Sequence, residues 1–232
     1  MNKNDVVKIM EVVISNPFFG DYVIKKSDNS IFYKDDYGFR KVHFWYYNSY
    51  DLERDALALE VQPNFDVRFN VLHKWFEKYS KRTLRDQRDD YSLGFTGGML
   101  GTLDEFYFLE NRKDYNKDLK RLCENVVNNS KRVFTNFQTL EDYYNYCIND
   151  VILGKRELPD EGFEWVTEYL IATKIVKPSS YDLVKTIILQ RVEWMKGRKN
   201  PNIELYYNDI PTILDDLENT NFSAEKHGKI LL

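Results

Sequence analysis

Residues that usually carry chemistry are scarce in this chain of 232 amino acids. It contains two cysteines and three histidines, and the histidines show none of the HxH, HxxxH or HExxH spacings typical of metal sites. Cys123 and Cys147 form no CxxC pair and both fall in helical patterns, where we expect reduced, buried thiols. The sequence therefore predicts neither a metal site nor a bound cofactor.

Glycine-rich phosphate loops are also missing. The 10 glycines produce neither GxGxxG nor GxxxxGK[ST]. The richest stretch, GFTGGMLG at 94–101, lacks the Lys-Ser/Thr pair that ends a phosphate loop. We interpret it as a turn joining two strands, since glycine most often serves backbone conformations with positive φ.

Long apolar runs are absent too, which excludes a membrane span. Asp5, Lys8 and Glu11 interrupt the first apolar run, so it does not resemble a signal peptide. The net charge of −4 disfavours general binding to nucleic acid, which usually requires a basic domain. We therefore expect a cytoplasmic protein with neither a membrane nor a nucleic acid as its partner.

Hydrophobic and charged residues are present in ordinary globular proportions, and their periodicity predicts an α+β fold. A leading helix precedes an antiparallel sheet of about five strands, and helical patterns dominate from about residue 114. We predict an α+β sheet domain at 1–112, a helical region at 113–222 packed on or beside it, and a mobile tail at 223–232. Thr139, with an acid three residues on, predicts a capped helix start.

The sharpest local prediction is a hairpin centred on Asn64. DALALEVQ and DVRFNV both alternate, and Pro63-Asn64 lies between them. Such a hairpin would place Val61 opposite Val67 and Glu60 opposite Arg68, with apolar pairs on one face.

The most aromatic stretch, KVHFWYYNSYD at 41–51, predicts a strand. Its two faces would carry Val42 and Phe44 on one side, and His43, Trp45 and Tyr47 on the other. Because both sets are bulky, we expect a central strand covered on both faces, with helices on at least one of them. If the second face is open, His43, Trp45 and Tyr47 are the first candidates for binding a partner or ligand.

Two charged patterns provide further candidates. Asp51 or Asp55, followed by Glu60 and Gln62 on a strand, matches the acid-then-Glu-x-Gln pattern of Mg²⁺-dependent nucleases, which hydrolyse phosphodiesters. In RTLRDQRDD, Arg85 and Arg88 would share one flank of a helix and could bind an acidic group. Neutralisation by the neighbouring aspartates is the simpler interpretation of that run.

The order of elements, with RFNVLHKWFEKY and DDYSLGFTGGML following the strands, resembles a bacterial family of domains of unknown function. Members of that family occur near toxin and immunity gene sets, and the resemblance covers roughly residues 4–110. It implies no catalytic residue. Together with the acidic charge, it favours a non-catalytic, immunity-like module that binds a protein partner. The nuclease hypothesis remains the alternative.

Overall fold

A computed structural model describes residues 3–160, 162–199 and 201–222 of the chain. The fold is α+β, as predicted, with a leading helix, an antiparallel sheet and a helical C-terminal half. The chain forms two compact units. The first comprises the described residues up to Arg68 together with Leu93–Asn136, and the second comprises Phe69–Ser92 and the described residues from Phe137 onward.

The strands are β1 (Val23–Lys25), β2 (Ser30–Lys34), β3 (Gly38–Asp51), β4 (Ala56–Phe69), β5 (Leu93–Phe95) and β6 (Phe106–Leu109). The helices are α1 (Lys3–Ile14), α2 (Asn70–Lys74), α3 (Leu84–Asp89), α4 (Tyr115–Asn136), α5 (Leu140–Tyr144), α6 (Asp150–Ile152), α7 (Glu164–Val176), α8 (Tyr181–Gly197), α9 (Pro201–Glu204) and α10 (Ile210–Asn219).

The sheet of the first unit has the order β1-β2-β3-β4, and both β5 and β6 pair with β4. Its two longest strands, β3 and β4, are joined by four residues that end at Asp55, whose φ of 51° is left-handed. Aspartate tolerates that conformation better than most residues. The aromatic stretch thus lies in a central strand, as predicted, with β4 on one side and with β2 paired on the other side as far as His43.

The predicted hairpin at Asn64 is wrong, because β4 continues through Pro63 as one strand. Its first half pairs with β6, where Val61 lies opposite Phe106, and its second half pairs with β5, where Val67 lies opposite Leu93. Pro63 falls between these two paired segments. A proline, which has no N–H to donate, is tolerated at such a position because neither β5 nor β6 is paired with it there.

One face of the sheet is covered by two helices. The helix α1 packs against β1 and β2, and α4 packs against β3 and β6. The helix α1 buries Val6, Ile9, Met10 and Val13, a spacing that places all four on one helical face. Opposite them, the sheet buries large apolar side chains that are at most 1% exposed, namely Val42, Phe44, Leu59, Val61, Phe65, Val67 and Phe108.

The second unit is helical and centred on α7, which packs against α2, α5 and α8. Ten of the thirteen residues of α7 are buried, as expected for a helix surrounded by others. The predicted cap at Thr139 is confirmed: its Oγ1 accepts a hydrogen bond from the N–H of Asp142, and the Asp142 carboxylate accepts one from the N–H of Thr139. A single π-helical turn, Asn145–Asn149, follows α5.

The expected division at 112 and 113 falls inside the first unit. The physical reason is that α4 packs against α1 and the sheet, whereas α2 packs against α7. Long helices therefore occur in both units, and position along the chain does not separate them. The predicted tail at 223–232 lies outside the described residues.

Candidate functional site

The face of β3 that carries His43, Trp45 and Tyr47 is open at Trp45 and Tyr47, which corrects the expectation that both faces of this strand are covered. Trp45 is 46% exposed and Tyr47 is 49% exposed, whereas Val42 and Phe44 on the other face are fully buried. The His43 and Trp45 rings lie with centroids 4.3 Å apart and planes inclined by 53°. We call His43, Trp45 and Tyr47 the aromatic face.

An ion pair shows which residues of β4 share this face. Lys41 Nζ lies 3.3 Å from Asp66 Oδ2, and both side chains are nearly buried. Since side chains alternate along a strand, Glu60 and Gln62 lie on the same side of β4 as Asp66. Burial raises the pKa of Asp66 to about 6, although the nearby charge of Lys41 lowers it in part.

A carboxylate cluster extends the aromatic face across β4 toward β6. Gln62 Nε2 donates to Glu60 Oε1 at 2.5 Å and to Glu105 Oε1 at 3.4 Å, and Tyr107 Oη donates to Glu105 Oε2 at 2.7 Å. The hydrogen bond to Glu105, with burial and the charge of Glu60, raises the pKa of Tyr107. We call Glu60, Gln62, Glu105 and Tyr107 the acidic cluster. The predicted pairing of Glu60 with Arg68 is wrong. Glu60 lies opposite Tyr107 in the sheet.

A groove of about 850 Å³ lies beside this cluster, between the β3–β4 connection and the start of α4. Arg54 crosses it, with its Nε 2.5 Å from Asp51 Oδ2, its Nη1 2.6 Å from Asp118 Oδ2, and its Nη2 donating to the Tyr107 carbonyl at 2.8 Å. Burial acts to raise the pKa of Asp51, but the hydrogen bonds and charge of Arg54 outweigh it and leave that pKa below its ordinary value. Arg54 thereby fixes the connection to α4.

The residues of the nuclease pattern have separate partners. The Asp51 carboxylate is held by Arg54, Asp55 accepts a hydrogen bond from Tyr50 Oη at 2.5 Å, and Glu60 accepts one from Gln62. Within residues 3–160, 162–199 and 201–222, no group of three or more His, Cys, Asp or Glu side chains is arranged to hold a metal ion. The geometry offers the nuclease hypothesis no observation in its favour.

The basic candidates belong to the second unit. RTLRDQRDD contains the helix α3, which Thr83 caps through its side chain. Arg82 pairs with Asp90 at 2.5 Å, in line with the expected neutralisation, whereas Arg85 and Arg88 are exposed on α3. The structure does not bring these two arginines together with the aromatic face in one unit.

The remaining candidates have ordinary packing roles. Burial raises the pKa of Cys147 to about 12 and also raises that of the half-buried Cys123, so neither thiol is primed as a nucleophile. The glycine-rich stretch forms the expected turn between β5 and β6. Its Gly97 is pressed against the Leu103 carbonyl, where an added Cβ would lie only 1.9 Å away. His227 lies outside the described residues.

The sequence did not single out Arg54, Glu105, Tyr107 or Asp118. They join the site through pairing between strands and helices that are distant in sequence, and no local pattern signals such pairing.

No family model matches this chain. Comparisons with curated proteins and with solved structures likewise find no match. In the part of the chain that the structure describes, no helix is both long and apolar enough to cross a membrane.

Proposed function

We propose that the first unit is an immunity-like protein-interaction module that binds a basic protein through the aromatic face. The observation that carries this proposal is the half-exposed pair Trp45 and Tyr47 on β3, just beyond the residues of β3 that pair with β2. Exposed tryptophan and tyrosine are the residues most enriched among those that dominate binding energy at protein interfaces.

The end of the β3–β4 hairpin also exposes apolar side chains. Leu52 is 86% exposed and Leu57 is 58% exposed, and Tyr50 beside them is also exposed. These exposed residues add apolar surface to the first unit, but alternation along the strands places Tyr50 and Leu57 on the face of the sheet opposite to Trp45 and Tyr47.

Charge indicates the chemistry of the partner. The acidic cluster shares the sheet face with Trp45 and Tyr47, and Glu53 and Asp55 are exposed at the end of the hairpin. The whole chain carries a net charge of −4. An acidic rim around an aromatic centre complements a basic protein, steering its approach and excluding acidic competitors. A basic toxin encoded beside the module would have this character.

The test is binding of the purified chain to each basic protein encoded by the neighbouring genes. We expect one of them to bind, and Trp45→Ala and Tyr47→Ala each to weaken the complex by roughly 30-fold or more, the effect of losing a central anchor. Added salt should slow association, because the acidic rim acts through long-range attraction.

The chain offers matched controls in its second unit. Trp194 is 41% exposed and Tyr91 is 49% exposed, so Trp194→Ala and Tyr91→Ala remove rings of the same type and similar exposure. These controls should bind like the wild type. Equal loss of binding in the control and test variants, or no binding by any neighbouring basic protein, would refute the proposal.

A further inference from the structure

A serine, a histidine and a glutamate converge in the second unit, independently of the aromatic face. Ser92 precedes β5, His73 lies in α2 and Glu168 lies in α7. His73 Nε2 is 2.9 Å from Ser92 Oγ, and His73 Nδ1 is 3.7 Å from Glu168 Oε1. This is the order of contacts in which a nucleophile is linked to a base and the base to an orienting carboxylate.

Hydrogen bonding around Ser92 indicates the direction of its proton. Ser92 Oγ accepts a hydrogen bond from the N–H of Phe69 at 3.1 Å. The hydroxyl proton is then available to His73 Nε2, provided that the imidazole carries its own proton on Nδ1. The carboxylate of Glu168 on the Nδ1 side favours that tautomer, because it attracts an N–H and repels a lone pair.

The carboxylate of Glu168 is itself held in place. Its Oε2 accepts a hydrogen bond from Tyr143 Oη at 3.0 Å, in a contact that is fully buried. Burial and the charge of Glu168 raise the pKa of Tyr143 well above its ordinary value, so Tyr143 remains a donor. The π-helical turn Asn145–Asn149 begins two residues after Tyr143, and such turns are frequent at functional sites.

A small cleft adjoins the base. It is lined by His73 and Glu168 with polar neighbours that include Gln87, Asp90 and Thr167, and its volume is about 10 Å³. That is room for about one water molecule in a polar setting. Ser92 is half-buried and is not among the residues that line the cleft, whereas His73 lines the cleft and also contacts Ser92 Oγ.

We propose that Ser92, His73 and Glu168 form an acyl-transfer centre that hydrolyses esters with short acyl chains. Ser92 Oγ attacks the ester carbonyl carbon and transfers its proton to His73 Nε2. The C–O bond to the alcohol then breaks, and the alcohol leaves with that proton. A water then gives a proton to His73 Nε2, and its oxygen bonds to the acyl carbon. The bond from that carbon to Ser92 Oγ breaks, the carboxylic acid leaves, and the proton returns to Ser92.

The roles of the three residues differ. Ser92 and His73 would contact the reacting atoms and are the catalytic residues of the proposal. Glu168 acts only through His73, and Tyr143 acts through Glu168, so both are positioning residues. Ser92 is only partly exposed, and we therefore expect acetyl esters to react and long-chain esters to be excluded.

The decisive experiment treats the full chain with a fluorophosphonate probe and maps the adduct by mass spectrometry. In this reaction Ser92 Oγ would bond to phosphorus, fluoride would leave, and His73 would take the hydroxyl proton. We expect a single adduct, on Ser92, that is absent in Ser92→Ala and His73→Ala. Ser80→Ala is the matched control, because Ser80 lines the same cleft, and it should be labelled like the wild type.

Hydrolysis of p-nitrophenyl acetate provides the second readout. Ser92→Ala and His73→Ala should each lower the rate by about a thousandfold or more if the protein turns the ester over as a triad enzyme does. Glu168→Gln should lower kcat with little change in KM, and Glu168→Asp should restore part of kcat, which a purely structural role would not produce. Absence of an adduct on Ser92 in the wild type, or unchanged hydrolysis by Ser92→Ala, would overturn the proposal and assign the Ser92–His73 hydrogen bond to packing.

Discussion

The buried Asp66 should make the stability of this protein depend on pH in a direction opposite to that of most aspartates. Asp66 is 3% exposed and its pKa is raised from 3.8 to about 6, with burial as the main cause and Lys41 as a partial counterweight. The folded state therefore holds this proton more tightly than the unfolded state does. The stabilising effect is complete below pH 3.8 and is lost as the pH rises through about 6.

The size of the effect follows from the two pKa values. An interval of roughly two pH units, at about 1.4 kcal/mol per unit, corresponds to about 3 kcal/mol in the free energy of unfolding. About 2 kcal/mol of this is lost between about pH 4.5 and about pH 7.5, the range that is convenient for measurement. Asp66→Asn removes the titrating group, so the wild type should lose this amount relative to the variant as the pH rises.

The assay is urea-induced unfolding at a series of pH values, followed by fluorescence and circular dichroism so that coincident transitions can be verified. Asparagine resembles the protonated carboxyl group and does not titrate, so this position should contribute no pH dependence to the stability of Asp66→Asn. Asp89→Asn, at an exposed position of α3, is the control and should follow the wild type. If the wild type and Asp66→Asn give parallel curves, or if the wild type gains relative stability as the pH rises, the reasoning is refuted.

Two further predictions concern the second unit. Thr139→Ala should lower the free energy of unfolding by about 1 kcal/mol, because the N–H of Asp142 loses its cap. Thr139→Ser should retain most of the stability in the same urea titration. If Thr139→Ser loses as much stability as Thr139→Ala, the capping role is contradicted. Cys147, with its pKa raised to about 12, should resist a thiol reagent at pH 8 in the folded protein and should react on unfolding. The half-buried Cys123 should react earlier. Rapid labelling of Cys147 in the folded Cys123→Ser variant would show that the Cys147 thiol is not buried.

The β4 strand shows what a local sequence pattern can predict and what it cannot. Alternation in DALALEVQ and DVRFNV correctly indicates extended backbone, because the period of two is a property of the strand itself. The turn at Asn64 was an inference about pairing, and pairing depends on which other strands are within reach. Here β6 and β5 take up the two halves of β4, and Pro63 falls where the neighbour changes.

The candidate site likewise has one feature that the sequence predicted and one that it did not. Alternation placed His43, Trp45 and Tyr47 on one face of a central strand, which the structure confirms through their difference in burial from Val42 and Phe44. The sequence could not show whether this face is covered, because covering elements come from elsewhere in the chain. Bulk on both faces suggested coverage, and that inference failed for the aromatic face.

The sequence by itself determined the α+β class, the order of elements and the capped helix start at Thr139. It also determined which side chains of β3 lie on each of its two faces. These follow from periodicity and capping, which act over a few residues. Only the tertiary structure decided that Glu60 meets Tyr107, that Arg54 binds Asp118, and that Ser92, His73 and Glu168 converge. Such contacts join segments far apart in the chain, so their formation depends on how whole strands and helices pack.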